Sequence, residues 1–199
     1  MIPEQVAYLP ILISSVGISF YVRDIIRGNT KPNLVSWFLW FLAPVIGGFL
    51  QIKDGAGLSV IPVLVAGFVC IPVLVTALIK RNVIWKISLL DVVCGILSAL
   101  ALIFWITTRR TEISILFAIL SDALAAVPTL IKSWKFPETE SSLGYIPGVI
   151  NNGIGLMFIK DWRFSIYSFG VYLILLNLTL ITFIYRKKII LTYQQISAQ

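Results

Sequence analysis

Residues 57–79 read GLSVIPVLVAGFVCIPVLVTALI, a run without a single charged side chain. A helix needs about 20 apolar residues to cross a bilayer, so this run is long enough to span a membrane. Six further apolar stretches surround it, at residues 5–23, 33–51, 84–106, 113–131, 143–159 and 164–185. Backbone groups in lipid must be hydrogen-bonded within their own segment, which favours helices. The sequence therefore predicts an all-α integral membrane protein with seven transmembrane helices.

The composition of the whole chain supports this class. Of the 199 residues, 58% are apolar and 13% are charged, and the mean hydropathy is +0.94. Soluble domains are about 45–50% apolar and about 25% charged. These values exclude a soluble enzyme, a disordered chain and a disulfide scaffold.

The residue types that are missing narrow the chemistry. The sequence contains no histidine, which excludes histidine-based catalytic triads, metal sites and proton shuttles. Cys70 and Cys94 both lie inside apolar runs, where we expect them to act as small packing residues. We therefore predict that the protein is not an enzyme and binds neither a metal nor a cofactor.

The positive charge indicates membrane orientation. The net charge is +7, but the basic residues lie between apolar spans, so we expect lipid rather than nucleic acid as the partner. Eleven Lys and Arg residues fall on one side of the predicted spans and five on the other. The larger set is Arg23, Arg27, Lys31, Lys80, Arg81, Lys86, Lys132, Lys135, Arg186, Lys187 and Lys188, and the smaller is Lys53, Arg109, Arg110, Lys160 and Arg163. Because cytoplasmic loops carry the excess, the N-terminus is predicted outside and the C-terminus in the cytoplasm.

A weak internal repeat divides the predicted helices into triplets. A shift of 107 residues places Ile52-Lys53-Asp54 on Ile159-Lys160-Asp161, and each tripeptide follows the second helix of a triplet. The predicted units are a first triple-helix bundle at 1–79, a linker helix at 80–108 and a second bundle at 109–199. One extra helix gives both triplets the same orientation, a 3+1+3 parallel repeat of a kind found in transporters.

Two segments and the helix pattern resemble the SWEET and PQ-loop (MtN3-like) transporters. Residues 127–135 (VPTLIKSWK) are similar to that family's proline-glutamine stretch, with Thr129 in place of the glutamine, and residues 27–37 (RGNTKPNLVSW) resemble its loop into helix 2. The resemblance implies alternating-access transport of a small polar solute, such as a sugar, and a homo-oligomer. Other PQ-loop relatives carry amino acids or act as cargo receptors. The resemblance also implies that Asn177, in the last helix, contacts the substrate.

Polar residues inside the apolar spans are the candidate site. Asp122 lies in the middle of the fifth span, where an acid is expensive unless it is paired, protonated or hydrated. It is a candidate for substrate binding and for proton coupling, or else a hydrogen-bonded packing residue. Asn151 and Asn152 lie in the sixth span and are predicted either to face a pathway or to bond neighbouring helices.

Trp40 and three prolines complete the predicted machinery. Trp40 shares a helix face with Trp37, and such an aromatic face stacks well on a sugar ring. Pro44, Pro128 and Pro147 are the predicted bending points, because proline removes a backbone hydrogen bond inside a helix.

Some charged residues are predicted to have structural roles only. Asp91 is expected about a turn and a half into the fourth helix, snorkelling or paired with a basic residue such as nearby Lys86. Glu138 and Glu140 are predicted to be solvated loop charges.

The sequence thus predicts a transporter that is either facilitated or proton-coupled. A compact chain with short loops favours a prokaryotic plasma (inner) membrane. The alternative is a seven-helix receptor, binding protein or membrane partner protein without transport activity.

Overall fold

The structure is a computed structural model that describes residues 3–80, 84–107 and 111–197. Arg81, Arg109 and Arg110, which contribute to the predicted charge asymmetry, lie outside the described residues. The side chains of Lys187 and Lys188 lie outside them as well.

The described residues are mostly helical and include no strand. Its helices are α1 (Leu9–Ile26), α2 (Leu34–Lys53), α3 (Ile61–Phe68), α4 (Cys70–Ile79), α5 (Leu89–Thr107), α6 (Thr111–Lys135), α7 (Ile146–Met157) and α8 (Phe164–Ser197). Short 3₁₀ turns at 4–8, 57–60, 137–139 and 142–144 precede or join them. Helices α3 and α4 follow one another directly and together fill the predicted span at 57–79.

Five stretches are long and apolar enough to cross a bilayer, as expected for a membrane protein. They are Glu4–Ile26, Leu34–Lys53, Gly57–Ile79, Glu112–Lys135 and Phe164–Arg186. Helix α5 contributes a shorter apolar segment, Leu89–Ala101. Large apolar side chains cover much of the outer surface, including Leu12, Phe49, Leu78, Ile96 and Leu175, which are all exposed. A surface of this kind matches lipid rather than water.

The sixth predicted span is shorter in the structure than in the sequence analysis. Helix α7 has 12 residues, which corresponds to a length of about 18 Å at 1.5 Å per residue. It begins at Ile146, so Pro147 lies in its first turn, where a missing N–H leaves no helical bond unmade. The preceding residues 142–144 form a 3₁₀ turn. Pro147 therefore starts a helix and does not interrupt one.

The other two predicted bending points do lie inside helices. Pro44 is within α2 and Pro128 is within α6. A further proline bends the third span, because Pro72 cannot donate to the carbonyl of Phe68, and α3 ends at that residue. The sequence analysis did not single out this last proline.

Side-chain caps define the starts of α2 and α5. Asn33 Oδ1 accepts hydrogen bonds from the backbone N–H groups of Val35 (3.1 Å) and Ser36 (3.2 Å). Asp91 accepts from the Ser88 backbone N–H at 2.6 Å, and the Ser88 hydroxyl faces the Asp91 N–H at 3.4 Å. This reciprocal pattern is a capping box.

The location of Asp91 corrects one prediction. Asp91 lies in the first turn of α5 because that helix begins only at Leu89. It also accepts a hydrogen bond from the Asn33 side chain and is 1% exposed. Its bonded partners are Asn33 and Ser88 at the helix N-terminus, and it does not snorkel.

Candidate solute cavity between the helices

The candidate site is a cavity of about 80 Å³ between the helices. On this measure a single water needs about 10–15 Å³, so the space accommodates several waters or a small solute. Described residues from every helix except α5 line it. The lining residues are Ser14, Ile18, Trp37, Trp40, Pro44, Pro62, Ala66, Val69, Cys70, Asp122, Gly144, Tyr145, Pro147, Gly148, Asn151, Asn152, Leu173, Leu176, Asn177 and Leu180.

Asp122 is the acidic residue of this cavity. It is fully buried near the middle of α6. Its Oδ2 accepts a hydrogen bond from the Tyr172 hydroxyl at 2.8 Å, and its backbone carbonyl accepts one from Trp40 Nε1 at 3.4 Å. Its Oδ1 is buried and has no hydrogen-bond partner among the described residues. An unpaired buried carboxylate oxygen is costly, so this atom is suited to a ligand or to a proton.

Asn151 and Asn152 present amide oxygens in the same space. Asn151 Nδ2 donates to Ser14 Oγ at 2.5 Å and to the Pro10 carbonyl at 3.2 Å, which joins α7 to α1. Asn152 Nδ2 donates to the Gly148 carbonyl at 2.8 Å. Both amide oxygens are buried and lack a partner in the described part of the chain. Asn151 therefore bonds a neighbouring helix and also lines the cavity.

Asn177 faces this pair from α8. Its Nδ2 donates to the Leu173 carbonyl, one turn earlier, at 2.7 Å. Its amide lies directly against Gly148, where an added Cβ would be 2.8 Å from the Asn177 Cγ, Nδ2 and Oδ1 atoms. A Cβ at position 148 would therefore displace the Asn177 amide from its present position.

Four aromatic rings form a cluster at one end of the cavity. The ring centroids of Tyr21 and Trp37 are 4.9 Å apart, and those of Trp37 and Trp40 are 5.7 Å apart. Tyr145 lies 6.3 Å from Trp40 and 6.2 Å from Tyr21, which joins the four rings into a closed ring of contacts. Trp37, Trp40 and Tyr145 line the cavity. The cluster therefore separates the cavity from the polar residues beyond it.

A buried ion pair lies beyond this aromatic cluster. The Lys132 ammonium, at the end of α6, contacts the Glu140 carboxylate, and the two side chains are 1% and 0% exposed. Glu140 also accepts hydrogen bonds from the hydroxyls of Tyr21 (2.9 Å) and Tyr145 (3.1 Å). Lys132 Nζ donates to the Lys31 carbonyl at 2.5 Å. We call this region, with Tyr21, Lys31, Lys132, Glu140 and Tyr145, the Glu140 end of the bundle.

The burial of Glu140 shows that one prediction was wrong. It was expected to be a solvated loop charge, but only its loop position was evident in the sequence. In the folded chain Glu140 lies between Tyr21, Tyr145 and Lys132. Tyr21 is distant in sequence, and Lys132 belongs to α6.

A second polar network ties the helices together at the opposite end. Arg163 donates to Asp161 at 2.7 Å and to Asp54 at 3.2 Å. Asp54 also accepts from the Ser165 hydroxyl, and Gln51 Nε2 donates to the Ser165 carbonyl at 3.4 Å. We call this group the Arg163 end. It connects the end of α2 to the start of α8.

The structure brings together all five residues predicted to bind substrate. The same cavity is lined by Trp40, Asp122, Asn151, Asn152 and Asn177. The predicted hinges Pro44 and Pro147 line it too, whereas Pro128 does not appear among the described lining residues.

Sequence reasoning missed several residues that shape the site. Tyr145 was not predicted because aromatic residues near span ends are usual in membrane proteins. Tyr172 was not predicted either, although it lies well inside the last span. Ser14 was not predicted either. The Lys132–Glu140 contact carried no local signal, since it joins a helix end to a following loop.

A metal centre has no candidate within the described residues. No group of three His, Cys, Asp or Glu side chains there is close enough to hold an ion.

Neither a protein-family model, nor a curated protein, nor a solved structure matches this chain.

Proposed function

We propose that this chain is a membrane transporter of a small polar solute that works by alternating access. The observation that carries the proposal is the cavity, in which a buried acid and three asparagines face one another between otherwise apolar helices. Polar groups at membrane depth are expensive and are found where they bind a solute or line a pathway. The small volume restricts the solute to a compact metabolite unless the cavity widens during transport.

The pattern of helix contacts supports a two-fold arrangement. Helix α1 packs on α7 and on the α3–α4 span, and correspondingly α6 packs on α2 and on α8. Helix α2 packs on α3, as α7 packs on α8. These contacts correspond to one another if two triplets are equivalent. One triplet is α1, α2 and the α3–α4 span, the other is α6, α7 and α8, and α5 is the linker. The cavity then lies between two repeats, as in many transporters.

The two ends of the bundle supply candidate gates. At the Glu140 end, residues of α1, α6 and the α6–α7 connection are joined by the ion pair and the tyrosines. At the Arg163 end, Arg163 bonds both Asp54 and Asp161, the two aspartates that coincide under the 107-residue shift. Alternating access requires that such ties break at one end while the other end stays closed.

The finer features of the proposal follow the resemblance to SWEET and PQ-loop transporters. We propose an N-terminus outside, a C-terminus in the cytoplasm and a prokaryotic plasma membrane. In that orientation the Glu140 end is the cytoplasmic gate. Transport is facilitated or proton-coupled, with Asp122 as the coupling acid, and the protein associates into a homo-oligomer.

Uptake into proteoliposomes tests the proposal. The purified protein is reconstituted and offered labelled sugars, amino acids, small amines and vitamin precursors, with and without a pH gradient. Saturable uptake of one class, lost in Asn177→Ala, is the expected result. No saturable uptake of any solute by folded protein would overturn the transporter and favour the binding or partner alternative.

The chain offers a matched control for Asn177. Thr179, two residues further along α8, is exposed, and its hydroxyl donates to the carbonyl one turn earlier, Leu175, at 2.8 Å. Asn177 makes the same type of bond to Leu173. Thr179→Ala therefore removes an equivalent helix bond outside the cavity and should leave uptake unchanged.

A further inference from the structure

The hydrogen-bonding groups of the cavity are unequally divided between donors and acceptors. Asn151, Asn152 and Asn177 each use the amide nitrogen to bond a carbonyl oxygen. An amide turned the other way would place oxygen against oxygen, so these orientations are set by chemistry. The oxygens of Asn151 and Asn152 and the Oδ1 of Asp122 remain buried without a partner among the described residues.

The donors that surround Asp122 are already engaged. The Tyr172 hydroxyl bonds Asp122 Oδ2 and the Trp40 indole N–H bonds the Asp122 carbonyl. The Trp37 Nε1–H is the one buried side-chain donor lining the cavity that has no partner within the described chain. The buried atoms without any partner are thus three oxygen acceptors, one of them on a carboxyl group, and the Trp37 N–H donor. The amides of Asn152 and Asn177 each keep one further N–H in addition.

The charge of the cavity has the same bias. Asp122 is the one acidic side chain among the described lining residues, and no Lys or Arg is among them. The aromatic faces of Trp37, Trp40 and Tyr145 add a partly negative surface, which attracts cations. A solute with several N–H donors and a positive charge satisfies these groups, whereas a carboxylate or phosphate would face unpaired oxygens.

We propose that the solute is a small primary ammonium compound, and specifically a compact amino alcohol. An ammonium group has three N–H donors, which match the unpaired oxygens of Asp122, Asn151 and Asn152. The solute hydroxyl accepts from the Trp37 N–H. A cavity of about 80 Å³ suits a molecule of this size. This assignment names the substrate class of the proposed transporter and so rests on that function for its physiological meaning.

A binding titration in detergent tests the assignment independently of transport. Trp37 and Trp40 line the cavity, so a bound solute changes their fluorescence. The probes are ethanolamine, ethylene glycol and glycolate, which share one two-carbon skeleton and differ in carrying an ammonium, a neutral hydroxyl or a carboxylate. Ethanolamine is expected to bind ~10- to 100-fold more tightly than ethylene glycol, since bonds to charged groups are the stronger ones.

Two variants connect the preference to the cavity oxygens. Asp122→Asn should reduce ethanolamine affinity by ~10- to 100-fold, and Asn152→Ala, which removes one neutral oxygen, by ~10-fold. Glu112→Gln removes an exposed acid from the same helix and is expected to have no effect. If Asp122→Asn does not fold, Asn152→Ala still provides the test.

Uptake of labelled ethanolamine separates this inference from the proposed function. Saturable uptake by proteoliposomes above that of empty liposomes, together with binding, supports both. Binding without uptake supports the cavity assignment and overturns transport. Uptake or tighter binding of ethylene glycol or glycolate, with no preference for ethanolamine, would overturn the ammonium assignment and leave a transporter of another solute class.

Discussion

Replacing Lys132 with Met tests the buried ion pair at the Glu140 end. The substitution leaves the Glu140 carboxylate fully buried with two tyrosine hydroxyls, from Tyr21 and Tyr145, as its remaining partners. Removing one member of a buried ion pair typically costs about 3–5 kcal/mol, because the other charge stays uncompensated. Lys132→Met is therefore expected to lower the free energy of unfolding by about this amount.

The companion substitution separates charge from hydrogen bonding. In Glu140→Gln, the amide oxygen can still accept from the tyrosines, but the Lys132 ammonium keeps only the Lys31 carbonyl (2.5 Å) and the Trp85 ring, 5.3 Å from its centroid. This single variant is again expected to lose about 3–5 kcal/mol. The double variant buries neither charge and loses mainly the bond to the Lys31 carbonyl, about 1–3 kcal/mol.

The double variant should thus be more stable than either single variant. Equilibrium unfolding in mixed micelles, with SDS as the denaturant and tryptophan fluorescence as the signal, measures all four proteins of the cycle. Asp161→Asn is the control, because its bond to Arg163 is between two largely exposed side chains and such pairs are worth about 0–1 kcal/mol. If the losses of the two single variants simply add in the double variant, the pair is not energetically coupled and the reasoning fails.

Two further predictions concern the cavity. Uptake by the parent protein is expected to respond to a pH gradient. Uptake by Asp122→Asn is expected not to respond, because an amide at this position cannot take up a proton. Tyr172→Phe removes the hydroxyl bonded to Asp122 Oδ2 and should shift the pH response without abolishing it. A gradient response retained in Asp122→Asn would exclude this residue from coupling. Gly148→Ala places a Cβ 2.8 Å from the Asn177 amide and should lower uptake about as much as Asn177→Ala. Gly153→Ala in the same helix has no atom within 4 Å of its added Cβ and should transport normally, with stability unchanged or raised by about 0.5–1 kcal/mol.

The polar residues of the cavity were predictable because membranes make them conspicuous. Asp122 and Asn177 interrupt long apolar runs, and a polar group at such a depth requires a partner, a proton or water. That requirement can be read from one segment alone. The polar residues of the predicted site could therefore be selected without knowledge of how the helices pack.

The details of those residues depended on contacts between distant segments. Asn151 directs its nitrogen to Ser14 and the Pro10 carbonyl of α1, and its oxygen is left without a partner in the described chain. In the same way, Glu140 had the composition of a loop charge and became a buried ion-pair partner through Lys132. The preference for acceptors inside the cavity was accordingly invisible in the sequence.

Helix boundaries show the same division between local and tertiary information. The sequence alone determined the all-helical membrane class, because runs such as 57–79 are long and apolar, and helix is the form that satisfies their backbone in lipid. It also determined that Pro44 and Pro128 lie within helices. The start of α5 at Leu89 and the short α7 depended on a capping box and on a proline at the first turn, which override hydropathy at the ends of a span.

What only the tertiary structure decided is which polar groups remain unpaired. Hydropathy is a property of single residues, whereas a free donor or acceptor is a property of the neighbours that surround it. The packing of α1, α6, α7 and α8 engages most donors near Asp122 and leaves its Oδ1 and two amide oxygens without partners in the described chain. Those unpaired oxygens give the cavity its capacity to bind a particular class of solute.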